Sequence, residues 1–385
     1  MVKFKRKKFF VPRLVAFLLV VIACGAGFYW HGVITDFANR QIFGNEKPPE
    51  EITFDGGLDV HFIDVGQGDA AVIRFPDERI MIVDAGTNTT ASREAFSHYL
   101  RTVIFPGNTP RVVDYFVATH SHADHIGAGY YLLANYYVGH VIRPLAFTQD
   151  EINTNVPQSF GLTAPFMVHN TLIMQNFIRR LGESTCINGN ATAVSVPYRG
   201  KEMSIGGAEV LFLSPHGHYF SDGLNRLSTI FTVSFQGRTI MFTGDSYVAC
   251  EVVMLQFMTS NNITINVDVL DVSHHGSTTS TSQAFIDRIN PTYAIIQVGG
   301  NNFGHPHGAI IRRLEAADTN ILTTRQVGNI LVRVSAQGAL EVDGAIDPGE
   351  WFSYWMLVTM VVVAAFGLLL AMDFVQPKQK KARRR

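Results

Sequence analysis

Hydrophobic residues divide the chain into a central part of mixed pattern and two uninterrupted apolar runs on either side of it. The runs cover 14–30 and 351–372, contain no charged residue, and are each near the length of about 20 residues that spans a bilayer. Between them, apolar residues alternate with polar ones or recur at helical spacing, with glycine, asparagine and aspartate separating the segments. This pattern predicts a folded domain flanked by two transmembrane helices.

The central part predicts strands interleaved with helices, which indicates a mixed α/β fold. The strands are expected at 58–65, 71–75, 79–83, 112–118, 138–143, 208–213, 227–235, 239–242, 267–272, 293–298, 321–323, 328–334 and 339–342. The helices are expected at 90–105, 126–137, 171–181, 246–257 and 309–317. Residues 147–192 are rich in Thr, Asn and Gln and break this rhythm. They predict an insertion near the mouth of a site, where loops usually determine substrate choice.

Charge is distributed unevenly along the chain. Lys and Arg number 31 and Asp and Glu 32 among the 385 residues, of which 47% are hydrophobic. Twelve basic residues and one acidic residue lie in 1–30 and 351–385, so residues 31–350 carry 19 basic and 31 acidic ones. The basic ends predict cytoplasmic termini and a central domain across the membrane. The acidic centre argues against non-specific coating of nucleic acid, because such binding depends on Lys and Arg releasing phosphate counterions.

The predicted organisation places one folded domain outside the cell membrane. Its parts are a basic cytoplasmic tail at 1–13, a transmembrane helix at 14–30, a linker at 31–57, the folded domain at 58–345, a transmembrane helix at 351–372 and a second basic tail at 373–385. Two alternatives exist for the first span: a cleaved secretory signal, and a lipoprotein signal acylated at Cys24. Each keeps the domain outside. Cys186 and Cys250 could pair in an oxidising compartment, but two cysteines do not make a framework.

Three histidines and one aspartate lie within six residues, directly after a predicted buried strand. In the segment THSHADHIG at 119–127, His120 and His122 alternate on an extended strand end and can reach one ion from the same side. Asp124 and His125 lie where the chain turns, so they can address a second ion. A solvated polar turn seldom has this composition and spacing, and the segment therefore predicts a metal site.

The second half of the chain carries two further histidine motifs. SHHGSTTS, residues 273–280, follows a predicted strand and joins adjacent imidazoles to a glycine and a run of hydroxyls. GHPH, residues 304–307, follows the next predicted strand. Adjacent imidazoles at a strand end, followed by glycine and hydroxyls, indicate a metal site, whereas the histidine pair of GHPH could also be structural.

These motifs resemble those of a known family. His-x-His-x-Asp-His resembles the signature of the metallo-β-lactamase superfamily. The segments HFIDVGQGDA at 61–70 and IVDAG at 82–86 are similar to the opening of the metallo-β-lactamase-like domain of ComEC-type DNA-uptake proteins, which also show a GHPH motif. The resemblance covers about 58–343. It implies an αβ/βα four-layer sandwich, with two mixed sheets face to face, helices outside and a metal site at one edge between the sheets.

The resemblance also implies roles for individual residues. Asp245 would bridge two ions, and His275 would complete the ligands of the second ion because it precedes Gly276. His274 would then be a phosphate-facing proton donor, although these two histidines could exchange roles. The predicted metal ligands are His120, His122, Asp124, His125, Asp245 and His275. The predicted catalytic residues are Asp124 and His274, and residues expected to support the site or touch substrate are Asp69, Asn225, Ser277, His305 and His307.

One position departs from the superfamily pattern. Most members have a third histidine for the first ion, and Asn225 falls at that position here, as it tends to in ComEC-like domains. An amide is a poor ligand, so we expect lower affinity at the first ion, for which His216 and His218 could compensate. The nitrogen and oxygen ligands predict two divalent ions, either Zn²⁺ or Mn²⁺, and no motif contains a cysteine to favour zinc through sulfur.

Three functional hypotheses follow. The first is phosphodiester hydrolysis by a nuclease or a small-diester esterase, favoured by the ComEC-like motifs and by the hydroxyl run at 277–282. The second is C–O or C–N hydrolysis of the lactonase or β-lactamase type, whose members usually keep the third histidine. The third is a non-catalytic anchored binding module, which the intact ligand set disfavours. The expected partners are the membrane and a phosphodiester substrate such as DNA. The chain lacks a multi-span channel, so any role in uptake requires an unknown partner.

Overall fold

Two β-sheets face each other in the computed structural model, which describes residues 54–107, 110–215 and 223–343. The first sheet has eight strands in the order β17-β16-β1-β2-β3-β4-β5-β8. They are β1 Leu58–Phe62, β2 Ala71–Arg74, β3 Ile80–Val83, β4 Val112–Val117, β5 Tyr137–Ile142, β8 Ala193–Ser195, β16 Ile330–Val334 and β17 Leu340–Asp343. The second sheet has seven strands in the order β15-β14-β13-β12-β11-β10-β9. They are β9 Glu202–Ile205, β10 Ala208–Phe212, β11 Phe231–Phe235, β12 Arg238–Phe242, β13 Val269–Asp271, β14 Tyr293–Ile296 and β15 Asn320–Thr323.

The helices and a small third sheet complete the described part. The helices are α1 Thr90–Tyr99, α2 Ala123–Ile126, α3 Gly129–Asn135, α4 Gln149–Asn153, α5 Val156–Ser159, α6 Leu172–Glu183, α7 Val248–Ser260, α8 Gln283–Ile289, α9 Gly308–Ala316 and α10 Thr324–Val327. A π-helical turn, Leu100–Ile104, continues α1, and 3-10 turns cover Leu224–Leu227 and Ser273–Gly276. Strands β6 Ala146–Phe147 and β7 Met167–Val168 pair with each other.

The apolar core between the sheets follows from the period-two alternation of the strands. Leu58, Val60 and Phe62 of β1 lie in this core together with Phe231 and Phe242 of the second sheet. Phe242 stacks on both Phe231 and Phe62, with ring centroids 4.9 and 5.9 Å apart. The two sheets therefore share one hydrophobic core, to which Leu58 at the start of β1 and Val342 in β17 contribute.

Helices cover the outer face of each sheet. Phe96 of α1, Leu132 of α3 and Phe177 of α6 are buried with the outward residues of the first sheet. Met254 of α7 and Phe285 of α8 are buried in the same way on the second sheet. The layers are thus helix, sheet, sheet, helix, as the resemblance implied.

The topology brings several strand ends to one edge. Strands β3, β4 and β5 run parallel, and so do β12, β13 and β14. Because parallel strands end at the same edge of a sheet, the segments that follow them lie close together. The 119–127 segment follows β4, Asp245 follows β12, and the paired histidines follow β13. This edge is where the predicted site residues meet.

Several sequence predictions of secondary structure are wrong in detail. The helix predicted at 126–137 is two short helices, because Ala128 leaves helical geometry and its amide donates to the backbone oxygen of Gly86. Gly127 approaches the same segment so closely that a Cβ there would lie 2.4 Å from the amide nitrogen of Asn88. The strand predicted at 227–235 begins only at Phe231, after a 3-10 turn. The sequence pattern did not predict the helices α4, α5, α8 and α10 or the strands β6 to β9. Cys186 and Cys250 are free thiols, so the suggested pairing is not present.

The predicted membrane segments belong to the part of the chain that the structure does not describe. Both predicted spans, 14–30 and 351–372, lie outside the described residues, as do the basic tails and most of the linker. Among the helices that the structure describes, none has the length and apolar character needed to cross a bilayer.

Candidate metal centre

The histidine motif converges because β4 ends just before it. The sequence predicted that His120 and His122 lie on the end of a strand. Strand β4 instead stops at Val117, so both histidines lie in an extended turn after it. Their rings nevertheless converge: His120 Nε2 lies 3.0 Å from His122 Nδ1. His120 is buried and His122 is half-buried. Two imidazole nitrogens aimed at one point can serve as ligands of a single ion.

Asp245 stands between two groups of histidines. Its Oδ2 lies 3.6 Å from His120 Nε2 and 3.6 Å from His274 Nε2. Its Oδ1 lies 3.2 Å from His125 Nε2 and 3.7 Å from His275 Nε2. The two oxygens of one carboxylate therefore address two sides of the centre. We call them the His120 side (His120, His122, Asn225 and His274) and the His125 side (Asp124, His125 and His275).

The His125 side is held from behind by carboxylates and a carbonyl. His125 Nδ1 lies 2.8 Å from Asp84 Oδ2. His275 Nδ1 lies 2.9 Å from the backbone oxygen of Gln297 and 3.0 Å from Asp69 Oδ1. Protonating each Nδ1 toward these acceptors leaves each Nε2 as a free acceptor on the inner face, which is how metal-ligating histidines are usually oriented.

The loop that carries Asp69 explains the Gly-Gln-Gly-Asp motif. Gly68 has a φ of +139°, and a Cβ there would lie 2.5 Å from the backbone oxygen of Asp124. The amide of Asp69 donates to that same oxygen at 3.0 Å. Glycine is therefore needed for the loop to approach the metal motif closely enough to place the Asp69 carboxylate behind His275.

The donor atoms fit a divalent cation. His125 Nε2 and Asp245 Oδ1 are buried, have no hydrogen-bond partner and face each other. Buried polar atoms are normally paired, so two convergent unpaired acceptors indicate a bound cation. Among the described residues, four sets offer three ligand atoms close together, and two of them consist of predicted ligands alone: His120 with His125 and Asp245, and Asp124 with His125 and His275. Imidazole and carboxylate donors without thiolate suit Zn²⁺ or Mn²⁺.

The electrostatics of the centre favour positive charge. Burial lowers the pKa of His125, but Asp245, Asp84 and Asp69 outweigh it and hold that pKa well above its usual range. Burial likewise lowers the pKa of His275, and nearby carboxylates again outweigh it. Burial raises the pKa of Asp245, yet the surrounding imidazoles bring it well below normal. A site that draws protons onto imidazoles in this way also attracts a divalent cation.

The His120 side offers weaker metal ligands than the His125 side. Burial lowers the pKa of His120 well below its usual value. Asn225 is buried at this side, with Nδ2 3.4 Å from Asp245 Oδ2 and 3.4 Å from His274 Nε2, and its Oδ1 has no partner. Asn225 thus lies where the resemblance places a third histidine. His216 and His218, suggested as compensating ligands, lie outside the described residues.

Several neighbours of the centre were not identified from sequence. His169, from the predicted insertion, lies 2.7 Å from Ser121 Oγ through its Nδ1, and its ring centroid is 6.3 Å from that of His122. Asp84 belongs to the family-like IVDAG segment, but the sequence did not predict a role for it. Its carboxylate accepts from the amide and the hydroxyl of Thr119 and faces His125. Asp84 had a signal in its Asp-Ala-Gly motif, whereas His169 had none, because only folding brings the insertion to the cleft.

The remaining predicted residues lie close to His274 and His275. His305 is 5.5 Å from His274 between ring centroids, and His307 is 4.9 Å from His305. Ser277 Oγ accepts from the amide and the hydroxyl of Thr279. The structure therefore brings both later histidine motifs to the edge that holds Asp245, as expected.

Comparison with known proteins agrees with this geometry. Residues 63–160, which include the whole 119–127 segment, match the model of the metallo-β-lactamase superfamily. The chain carries a metallo-β-lactamase domain. The matched family and the clustered histidine and aspartate ligands support a metal-dependent hydrolase in general. The superfamily resemblance drawn from the sequence is confirmed.

The curated relatives are competence and recombination proteins. ComE operon protein 3 of Bacillus subtilis is 26% identical over 286 residues, covering 71% of this chain and 33% of the relative. Recombination protein 2 of Haemophilus influenzae is 29% identical over 147 residues, covering 38% of this chain and 18% of the relative. Competence protein ComA of Neisseria gonorrhoeae is 30% identical over 119 residues, covering 31% of this chain and 17% of the relative. The metallo-β-lactamase domain therefore resembles that of ComEC-like competence proteins, and the match spans a third or less of their length.

Solved structures show a more distant likeness. CmlA, a diiron β-hydroxylase from Streptomyces venezuelae, is 15% identical and covers 72% of this chain and 54% of its own, with a TM-score of 0.45. The metallo-β-lactamase SMB-1 is 16% identical and covers 69% of this chain and 95% of its own, with a TM-score of 0.35. These values are too low for a residue-by-residue comparison of the sites.

Proposed function

We propose that the chain is a membrane-anchored, extracytoplasmic phosphodiesterase that uses two divalent ions. The observation that carries this proposal is the Asp245 carboxylate, whose two oxygens face separate groups of imidazoles. One ion would bind His120, His122 and Asp245, and the other would bind Asp124, His125, His275 and Asp245. Two such ions would supply an activated water nucleophile and positive charge for the oxyanion that develops during hydrolysis.

The side chains around the ions supply orientation and a proton. Asp84 and the carbonyl of Gln297 fix the rings of His125 and His275 from behind. His274 has its Nδ1 2.8 Å from Thr279 Oγ1, so its Nε2 is directed toward Asp245 and the cleft. In this position His274 would donate a proton to the leaving oxygen. Asp124 would act as a ligand of the ion on the His125 side.

A phosphodiester is favoured over a carbon-centred substrate by the rim of the site. The turn at 277–280 carries four hydroxyls next to the paired histidines, and those of Thr278 and Thr279 are exposed. Hydroxyls can donate to phosphate oxygens. Lactonases and β-lactamases usually rely on a third histidine, and Asn225 replaces it here. The competence names of the relatives suggest a DNA-related substrate and association with a membrane.

The anchoring part of the proposal rests on the sequence. The predicted spans 14–30 and 351–372 would hold the domain on the outer face of the cell membrane, with both basic tails in the cytoplasm. The chain spans a third or less of the length of the curated relatives that it matches.

The test uses the full chain in detergent, stripped of metal and reloaded with Mn²⁺ or Zn²⁺. Metal content is measured by mass spectrometry, and turnover is measured on bis-p-nitrophenyl phosphate and on single-stranded DNA. We expect two ions per chain and turnover that disappears in Asp124→Ala, with Asp77→Asn as a surface control. Two bound ions without turnover of either diester would favour a carbon-centred hydrolase. Absence of metal binding would favour a binding module.

A further inference from the structure

An exposed aromatic ring stands beside the metal centre and has no role in the function proposed above. Phe303 lies in the 299–307 loop that follows β14 and is 69% exposed. Exposed single apolar residues are common and need no explanation by themselves. Phe303 differs because the loop holds it in a defined place and because a row of rings connects it to Asp245.

Asn301 holds the loop. Its Oδ1 accepts from the amides of Phe303 and His305 at 3.0 and 3.1 Å. Its Nδ2 donates to the backbone oxygens of Gly299 and His305 at 3.0 and 2.9 Å. Four hydrogen bonds from one amide fix the loop backbone on both sides of Phe303. The ring is therefore presented before any ligand arrives, which lowers the entropy lost on binding.

The row of rings leads from the rim to the carboxylate that joins the two sides. Phe303 stacks on His305, with centroids 5.6 Å apart and planes at 27°. His305 meets the edge of His274 at 5.5 Å and 70°, and His274 Nε2 lies 3.6 Å from Asp245 Oδ2. His305 Nδ1 is buried and has no hydrogen-bond partner. A flat group bound against Phe303 would thus lie next to His305 Nδ1, which has no partner. Only the rings of His305 and His274 would separate this group from the metal centre.

We propose that Phe303 and His305 form a stacking subsite for one nucleobase of a single-stranded nucleic acid, placed beside the phosphodiester under attack. This inference rests on the phosphodiesterase function proposed above. Bases of every sequence present a flat π-face, so aromatic stacking binds single strands without sequence preference. Residues 31–350 carry 19 basic and 31 acidic residues, so phosphate contacts alone supply little affinity. Stacking on Phe303 compensates for the scarcity of basic residues.

The experiment compares diesters with and without bases, using the metal-loaded full chain. The probes are a short oligothymidylate and an oligomer of equal length built from abasic tetrahydrofuran nucleotides. Phe303→Leu keeps an apolar side chain but removes the π-face, and Phe303→Trp restores one. Ile187→Ala is the matched control: Ile187 is 54% exposed, and its neighbour Cys186 lies against Val138 near the start of β5, at the opposite end of the sheet.

We expect the wild type to have a lower KM for oligothymidylate than for the abasic oligomer. Phe303→Leu should raise the KM for oligothymidylate by about 5- to 100-fold, the range found when one base–aromatic stack is removed, and leave the abasic oligomer unchanged. Phe303→Trp should restore the wild-type KM, and Ile187→Ala should have no effect. An equal change on both oligomers, or no change on either, would overturn the proposal while leaving the phosphodiesterase function intact.

Fluorescence gives a second readout that does not depend on turnover. The three native tryptophans lie at 30, 351 and 355, outside the described residues, and none is near Phe303 in sequence. In Phe303→Trp, oligothymidylate should therefore quench a new emission component that the abasic oligomer leaves unchanged. Quenching without cleavage of any diester would retain the subsite and reject the phosphodiesterase. If Phe303→Leu instead impaired only the hydrolysis of glycerophosphocholine, the ring would serve a quaternary ammonium group and the nucleobase proposal would be wrong.

Discussion

The two sides of the metal centre share Asp245 but are supported very differently. On the His125 side, both ligand imidazoles are fully buried and each Nδ1 has a partner, Asp84 for His125 and the Gln297 carbonyl with Asp69 for His275. On the His120 side, His122 is half-buried, and an amide occupies the place of an imidazole. The His125 side is therefore braced, in that hydrogen bonds behind its ligand rings hold them in place. The His120 side is more open.

We expect the two sides to bind metal with different affinities. Supporting hydrogen bonds fix ring orientation and raise ligand basicity, so an ion on the braced side should be held more tightly. An ion on the side with Asn225 should bind more weakly and leave more room for substrate. In the proposed two-ion centre, that second ion would be the one whose coordination can change during turnover.

The largest expected effect tests whether His274 is a proton donor or a ligand. His274→Ala should lower cleavage of single-stranded DNA by about 10²- to 10⁴-fold, the usual contribution of a general acid. Both ions should remain bound. Bis-p-nitrophenyl phosphate should lose much less activity, since p-nitrophenolate leaves without a proton. Loss of one ion in the metal analysis would show instead that His274 supplies the third imidazole of the His120 side.

The next effect would weaken the braced side alone. Asp84→Asn removes the carboxylate behind His125 and should reduce the affinity of the tighter ion by about 10- to 100-fold. Competition with a chelator measures the two affinities separately. Asp77→Asn, at a surface carboxylate paired with Arg79, is the control for the loss of one negative charge. Equal weakening of both ions would contradict independent support of the two sides.

A third substitution should reduce the difference in metal affinity between the two sides by adding a ligand to the His120 side. Asn225→His offers the imidazole that the superfamily pattern contains, and we expect about tenfold tighter binding of Zn²⁺ on the His120 side. Isothermal titration of the metal-free chain measures it. The site is buried, so the larger ring could fail to fit; Asn225→Asp adds an anionic ligand in a smaller volume and should act in the same direction. Unchanged affinity in both variants would show that Asn225 does not face the ion.

The smallest expected effect concerns the insertion. His169→Ala removes the partner of Ser121 beside His122 and should change KM by about two- to tenfold, as the loss of one hydrogen bond usually does. Metal content should stay constant. Ser121→Ala, which removes the other partner, should give a similar change. A fall in bound metal in His169→Ala would instead make His169 a ligand of the more open side.

The metal-site motif could be predicted from the sequence because its residues are neighbours in the chain and the strand before it has a short-range apolar pattern. His120, His122, Asp124 and His125 lie within six residues, and strand β4 before them is evident from its apolar side chains. The family resemblance added the sandwich fold and the expectation for Asp245. Helix boundaries were less predictable where the cause is a contact distant in sequence, as for the Ala128 amide on the backbone oxygen of Gly86.

The sequence by itself determined the residue types of the centre and the order of the strands that deliver them. Only the tertiary structure decided which imidazoles face which oxygen of Asp245, that Asp84 lies behind His125, and that His169 and Phe303 stand at the cleft. These relations join segments that are far apart in the chain. They depend on sheet register and on close backbone packing, which no local pattern of side chains specifies.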